Sequence, residues 1–176
     1  MLLGELAMNC ASITGFLVVV ITTVCSGAAV ATEFAAVVPL HGLGAYYVSA
    51  RIGNTDDTGD LMLDTGSGYV TINERTLARL QHDGDASYVK DVSGILADGS
   101  RKTVPVYRVA SISIGCCCVV QDVEAAVFPG ATRQILGMSA LKKVAPFAVA
   151  IDPPNLSLSK CRSDVSANTE VDLKRF

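Results

Sequence analysis

The sequence predicts a mainly β domain with one or two short helices, preceded by a hydrophobic N-terminal helix. Two observations predict it. Past Pro39 the chain is a succession of short runs rich in β-branched and aromatic residues, parted by Gly, Asp and Asn turns; that is how strands joined by tight connections read. Before that point no charged residue stands between Leu6 and Thr32, so the apolar content is concentrated at the front. With 176 residues the chain holds one ordinary domain plus an appendage, not two large lobes with separate cores.

Residues 1–34 read as a signal peptide or a transmembrane anchor. Ile13 to Val24 (ITGFLVVVITTV) has the length of a signal-peptide core, and the whole uncharged stretch also meets the roughly 20 apolar residues of a membrane-crossing helix. Ala29-Val30-Ala31 offers the small-x-small pattern that favours removal after Ala31, whereas no Lys or Arg precedes Arg51. The positive flank of a signal and the charge bias that fixes topology are therefore both missing, and the two readings stay open. Val24 is too large for Cys25 to be a convincing lipid-attachment site. Either fate carries the rest of the chain out of the cytoplasm, so the expected location is membrane-anchored or exported, with the folded domain extracytoplasmic (periplasmic).

The folded domain is expected over residues 35–161, followed by a polar tail at 162–176. In order, Ala45 to Gly53 reads as a strand, Asn54 to Gly59 as a polar turn, Asp60 to Asp64 as a second strand and Tyr69 to Ile72 as a third. Asn73 then caps a short helix, ERTLARLQH, with Leu77 and Leu80 on one face. Strands follow at Tyr88 to Leu96, Thr103 to Ile114, Val119 to Phe128, Ala145 to Ile151 and Leu156 to Leu158. Ala97-Asp98-Gly99 reads as a hairpin tip in which Gly supplies a positive φ.

Charge narrows the function classes. Lys and Arg total 14 against 17 Asp and Glu, and no basic cluster interleaves with aromatics, which argues against a nucleic-acid partner. His41 and His82 are far apart and accompany no plausible nucleophile, and Gly66-Ser67-Gly68 is not the Gly-x-Ser-x-Gly elbow of hydrolases. Cys116-Cys117-Cys118 has no Cys-x-x-Cys spacing, and neighbours along a strand point to opposite faces, so the run does not converge on one ion. It reads as core packing, with room for one disulfide to Cys161.

The run that carries chemistry is Leu61-Met62-Leu63-Asp64-Thr65-Gly66-Ser67-Gly68-Tyr69-Val70-Thr71-Ile72. An apolar strand ends in a carboxylate, and a hydroxyl, glycines and another strand follow. A carboxylate so placed accepts N–H bonds from the turn, from Gly66 and the residue after it, and becomes a fixed acid or base. Asp57-Thr58-Gly59 repeats the tripeptide without apolar flanks and reads as a solvated turn. A second element, Gln134-Ile135-Leu136-Gly137-Met138-Ser139-Ala140-Leu141, sets two apolar residues before a Gly and a short helical turn. By itself it implies a buried strand end with a close backbone approach.

Together these residues resemble the retropepsin-like (retroviral-type, single-lobe) aspartic proteases, in their membrane-associated bacterial branch, over roughly Ala45 to Lys160. The match rests on Leu63-Asp64-Thr65-Gly66-Ser67, the hairpin around Ala97-Asp98-Gly99, and Ile135-Leu136-Gly137, in the family's order and spacing. The resemblance implies a small, partly open β-barrel that dimerises so that Asp64 faces its twin, and a peptide or protein substrate. In that reading Asp64, Thr65 and Gly66 form the catalytic loop and Thr65 bonds across the dimer. Ser67 supports the outer carboxylate oxygen, and Ala97 to Gly99 close over an extended peptide. No metal or organic cofactor is needed. The flap lacks the run of glycines seen in viral members. A membrane-linked peptide-binding module on the same barrel, without cleavage, is the competing reading.

Overall fold

The protein is described by a computed structural model covering residues 33–55, 57–96 and 99–162. Its elements, in chain order, are β1 (Ala36–Pro39), β2 (Tyr47–Ile52), β3 (Gly59–Leu63), β4 (Val70–Asn73), α1 (Glu74–His82), β5 (Ala86–Ile95), β6 (Arg101–Ile114), β7 (Cys118–Phe128), β8 (Ile135–Leu136), α2 (Met138–Leu141), β9 (Phe147–Ile151) and β10 (Pro154–Leu158). Among the described residues the fold is mainly β with two short helices, as the sequence predicts for the folded domain.

Seven strands form one sheet in the order β2-β3-β8-β4-β7-β6-β5. β6 is long enough to serve two partners along one edge. Its first part pairs with β5 from Ile95↔Arg101 to Ala86↔Val109, and its end pairs with β2 at Ala50↔Ile114, Arg51↔Ser113 and Ile52↔Ile112. That second pairing returns the sheet to its own first strand and makes a barrel. Beyond the closed part, β5 and the start of β6 continue as a two-stranded hairpin. β1, β10 and β9 make a separate antiparallel sheet.

Alternating polarity turns one face of β2 to the core, while β4 is buried almost throughout. On β2, Val48, Ala50 and Ile52 are buried while Ser49 is exposed, the period of two that a half-buried strand requires. Leu61, Ile72, Ile112, Val123 and Leu136 meet them in one core, and each such side chain stabilises the fold by roughly 1.5–3 kcal/mol. A smaller cluster of Val104, Val106 and Ala126, packed against Tyr69, Val92 and Phe128, lies under the hairpin.

α1 starts where the sequence places it. Asn73 Oδ1 accepts the Thr76 N–H at 2.9 Å, supplying one of the four acceptors a helix start lacks. Leu80 is buried and Leu77 packs at the rim of the core. β1 is the element that the sequence reading lacks: Ala-Val-Val-Pro looks like the tail of the apolar front segment, and only its pairing with β10, from Ala36↔Leu158 to Pro39↔Asn155, makes it a strand.

The cysteine run needs correcting. Cys116 and Cys117 sit in the turn between β6 and β7 and are exposed thiols, because Ile114 pairs with Cys118 and leaves three residues for the connection. Only Cys118 packs in the core, and it forms a disulfide with Cys161. Arg162, in the expected polar tail, bridges to Val119 and its guanidinium donates to Gln121 Oε1 at 2.6 Å. The N-terminal segment and the remainder of the tail lie outside the described residues. Among the described residues no helix is long and apolar enough to cross a membrane.

Candidate active site

β3 delivers Asp64 to the rim of the barrel. Leu61 is buried, and the strand's last backbone groups are tied down: Leu63 N–H donates to Tyr46 O at 2.9 Å and Asp64 N–H to Leu136 O at 3.2 Å. The chain then turns at once. Gly66 N–H donates to Asp64 Oδ1 at 2.8 Å, as the sequence reading expects, so one carboxylate oxygen is fixed by the loop that follows it. The next N–H differs from expectation, because Ser67 N–H donates to the Asp64 carbonyl oxygen at 3.3 Å, not to the carboxylate.

Ser67 brings a second correction. Its hydroxyl donates to Tyr69 O at 2.7 Å, two residues on, and so braces the loop from within instead of donating to Asp64. Thr65 and Gly66 are exposed at the loop's crest, and Asp64 is half-buried. The other Asp-Thr-Gly behaves as a solvated turn: Asp57 is exposed and lies 3.5 Å from the Arg79 guanidinium.

Ile135-Leu136-Gly137 lies beneath the loop. β8 runs parallel to β3 at Met62↔Ile135 and Leu63↔Leu136 and meets β4 at Thr71↔Ile135, wedged between the strands on either side of the catalytic-type turn. Gly137 is required sterically: a Cβ there would overlap the Tyr69 carbonyl oxygen and stand 2.9 Å from Ser67 O. The same approach lets Met138 N–H donate to Ser67 O at 2.8 Å. The next residue is Ser139, whose Oγ accepts the Val70 N–H at 2.8 Å and donates to Glu124 O at 2.6 Å, tying α2 to both β4 and β7.

A cleft of about 540 Å³ opens between this loop and the β5–β6 hairpin. Asp64, Gly66, Ser67 and Ile135 line it on the loop side, while Leu136 and Gly137 are buried below. The hairpin contributes Val92, Ile95, Leu96, Lys102 and Val104. Of the expected tip, Ala97 and Asp98 lie outside the described residues. Gly99 has φ +81° and donates to Leu96 O at 2.9 Å, the positive φ that its place in the turn predicts.

Beside the cleft, Lys90 lies 3.0 Å from Glu124 Oε2 and 5.6 Å from the centre of the Tyr69 ring. Bonding to Glu124 first, and to Tyr69 second, holds its ammonium pKa above the ordinary lysine value. The sequence reading misses Ser139, Lys102 and Phe128. For Lys102 a signal existed, since it shares the phase of Val104 and Val106 along β6 and period-two spacing puts all three on one face.

A single Asp-Thr-Gly loop at a strand end, braced by an apolar-apolar-Gly segment and faced by a hairpin across a cleft, defines a one-lobed protein of the aspartic protease class. The chain belongs to the aspartyl protease family, whose model, described as "Aspartyl protease", matches residues 48–140, more than half of the sequence. Among solved structures it is similar to a retropepsin-like aspartic protease from Rickettsia conorii, with 18% identity and a TM-score of 0.49, over 69% of this chain and 88% of that one. No curated protein matches the chain.

Proposed function

We propose that the protein is an aspartic endopeptidase, active as a homodimer, that hydrolyses peptide bonds with a water activated between two Asp64 carboxylates. The observation that carries this reading is Asp64 itself. It stands at a strand end, held by the Gly66 N–H at 2.8 Å, on the wall of a cleft of about 540 Å³. Each chain has one such loop, since Asp57 belongs to an exposed turn. The mechanism needs two carboxylates, so an identical chain must supply the other.

Two carboxylates a few ångströms apart do not both ionise cheaply and share one proton. The ionised member takes a proton from the bridging water as that water attacks the scissile carbonyl carbon. The protonated member donates to the carbonyl oxygen, giving a tetrahedral diol; as the diol collapses the C–N bond breaks, the carboxyl that took the proton of the water passes it to the departing nitrogen, and no intermediate covalently bound to the enzyme forms. No metal or organic cofactor enters. In this reading Thr65, which is exposed, bonds to the facing loop of the second chain. The hairpin, with β5 as an edge strand, adds strand-like hydrogen bonds to the substrate and excludes water. Residues 1–34 act as signal or anchor and place the domain outside the cytoplasm, in the periplasm, where the Cys118–Cys161 disulfide is at home.

The test is cleavage of a mixed peptide library from about pH 3 to 7 by wild type and Asp64→Asn, which keeps shape and removes the ionisable pair. Cleavage by wild type and none by the variant is expected. Equal cleavage by both contradicts the assignment, and binding without cleavage by wild type supports a peptide-binding module instead.

A further inference from the structure

Lys102 is out of place for an ordinary strand residue. It lies on the face of β6 that carries Val104 and Val106, the face turned to the small apolar cluster, and it is half-buried. Its Nζ sits 5.9 Å from the centre of the Phe128 ring. Among the described residues no carboxylate lies within ion-pair distance of it, unlike Lys90, which Glu124 satisfies at 3.0 Å. It is also the one cation among the described residues that line the cleft, where Asp64 is the one anion.

The residue across from it sharpens the point. Gly94 on β5 pairs directly with Lys102. A Cβ at Gly94 would meet nothing within 4 Å, and its φ is not among the positive ones. Neither backbone conformation nor close packing therefore demands a glycine. What the glycine does is leave open space in the cleft beside an ammonium that has no counter-ion among the described residues, since a cross-strand neighbour would otherwise cover it. Next to that space lies an apolar wall of Val92, Val104, Ala126 and Phe128.

We propose that Lys102 is a specificity-determining residue that pairs with an acidic side chain of the bound peptide, the neighbouring side chain of which packs on the apolar wall. The inference rests on the cleft being a peptide site, as proposed above, and adds the charge of what it selects. An ammonium on a half-buried side chain, set beside an aromatic face and without an anionic partner among the described residues, gains a charge-assisted hydrogen bond when an anionic group arrives. A basic side chain in the same position meets like charge instead, and this rejects the wrong peptide as effectively as the pair attracts the right one.

The experiment uses the full chain and separates charge selection from catalysis. Wild type is incubated with a peptide library and its cleavage sites are read by mass spectrometry. In parallel, Asp64→Asn and Asp64→Asn/Lys102→Glu are titrated with fluorescent peptides identical except for Glu, Gln or Lys at the enriched position, or at each position in turn if nothing is cleaved. We expect Asp or Glu to be enriched at one fixed distance from the cut. We also expect Asp64→Asn to bind the Glu peptide about tenfold more tightly than the Lys peptide, the scale of one charge-assisted hydrogen bond. Lys102→Glu should invert that order, and Lys102→Met, which keeps the stem on Phe128, should abolish it while leaving the Gln peptide within about twofold. A general effect of charge on the dyad would alter rates at every site without moving preference at one position. Cleavage without acid enrichment, or a binding order that Lys102→Glu leaves unchanged, overturns the inference. Charge-selective binding by a chain that never cleaves supports the inference and removes the protease reading alone.

Discussion

At the scale of single residues, Asp64 and Gly137 answer to different physics. Asp64 is a chemical choice, a carboxylate oxygen held at 2.8 Å by the Gly66 N–H. Replacing it by Asn keeps that acceptor, so thermal unfolding of Asp64→Asn should stay close to wild type while cleavage disappears. Gly137 is a steric choice, because the Tyr69 and Ser67 carbonyls occupy the space of a Cβ. Gly137→Ala forces β8 away from the loop, with an overpacking cost of roughly 1–3 kcal/mol. It should show as a lower urea midpoint at unchanged slope, together with lost activity, since Met138 N–H can no longer hold Ser67 O. A Gly137→Ala protein as stable as wild type would contradict the steric argument.

At the scale of elements, α2 is short but joins three parts of the site. Ser139 accepts from Val70 N–H and donates to Glu124 O, so Ser139→Ala leaves a buried donor on β4 without its acceptor. We expect a loss of about 1–3 kcal/mol in urea unfolding, the penalty of an unpaired buried polar group. The elements were largely legible from the sequence because each carried its own local signal. β2 and most of β6 alternate, β7 is a largely apolar run that ends before Pro129 and Gly130, Asn73 announces α1, and the apolar flanks separate Asp64 from Asp57. β1 carried none, since its identity as a strand comes from β10 more than 100 residues away, at Ala36↔Leu158. The bonds of Ser67 were hidden for a related reason. A hydroxyl takes whichever acceptor the folded turn brings near, here Tyr69 O, and spacing does not reveal which. Lys102 shares the phase of Val104 and Val106 on β6, but the absence of a counter-ion among the described residues and the open space at Gly94 exist only after β5 and β6 pair.

At the scale of the whole molecule, two links hold distant parts of the chain. The Cys118–Cys161 disulfide spans a separation of 43 residues and ties the first residue of β7 to the chain just past β10. A loop of that length, once cross-linked, stabilises a fold by roughly 2–4 kcal/mol through the unfolded state. Reduction with dithiothreitol should lower the melting temperature by several degrees, and an unchanged melting temperature would show that the link is not formed in solution. The proposed function implies the other link, between two copies of the chain. In this account a chain with one fitted carboxylate is half of an active site, and sedimentation of the active full chain should find a dimer.

The most direct test mixes subunits. Wild type and Asp64→Asn are unfolded together, refolded in varying proportion at constant total protein, and assayed on a peptide that wild type cleaves. If each site takes one Asp64 from each chain, activity follows the square of the wild-type fraction, about a quarter at equal parts. Activity that falls in simple proportion, to about half, would mean that one chain suffices and would contradict the shared pair of carboxylates.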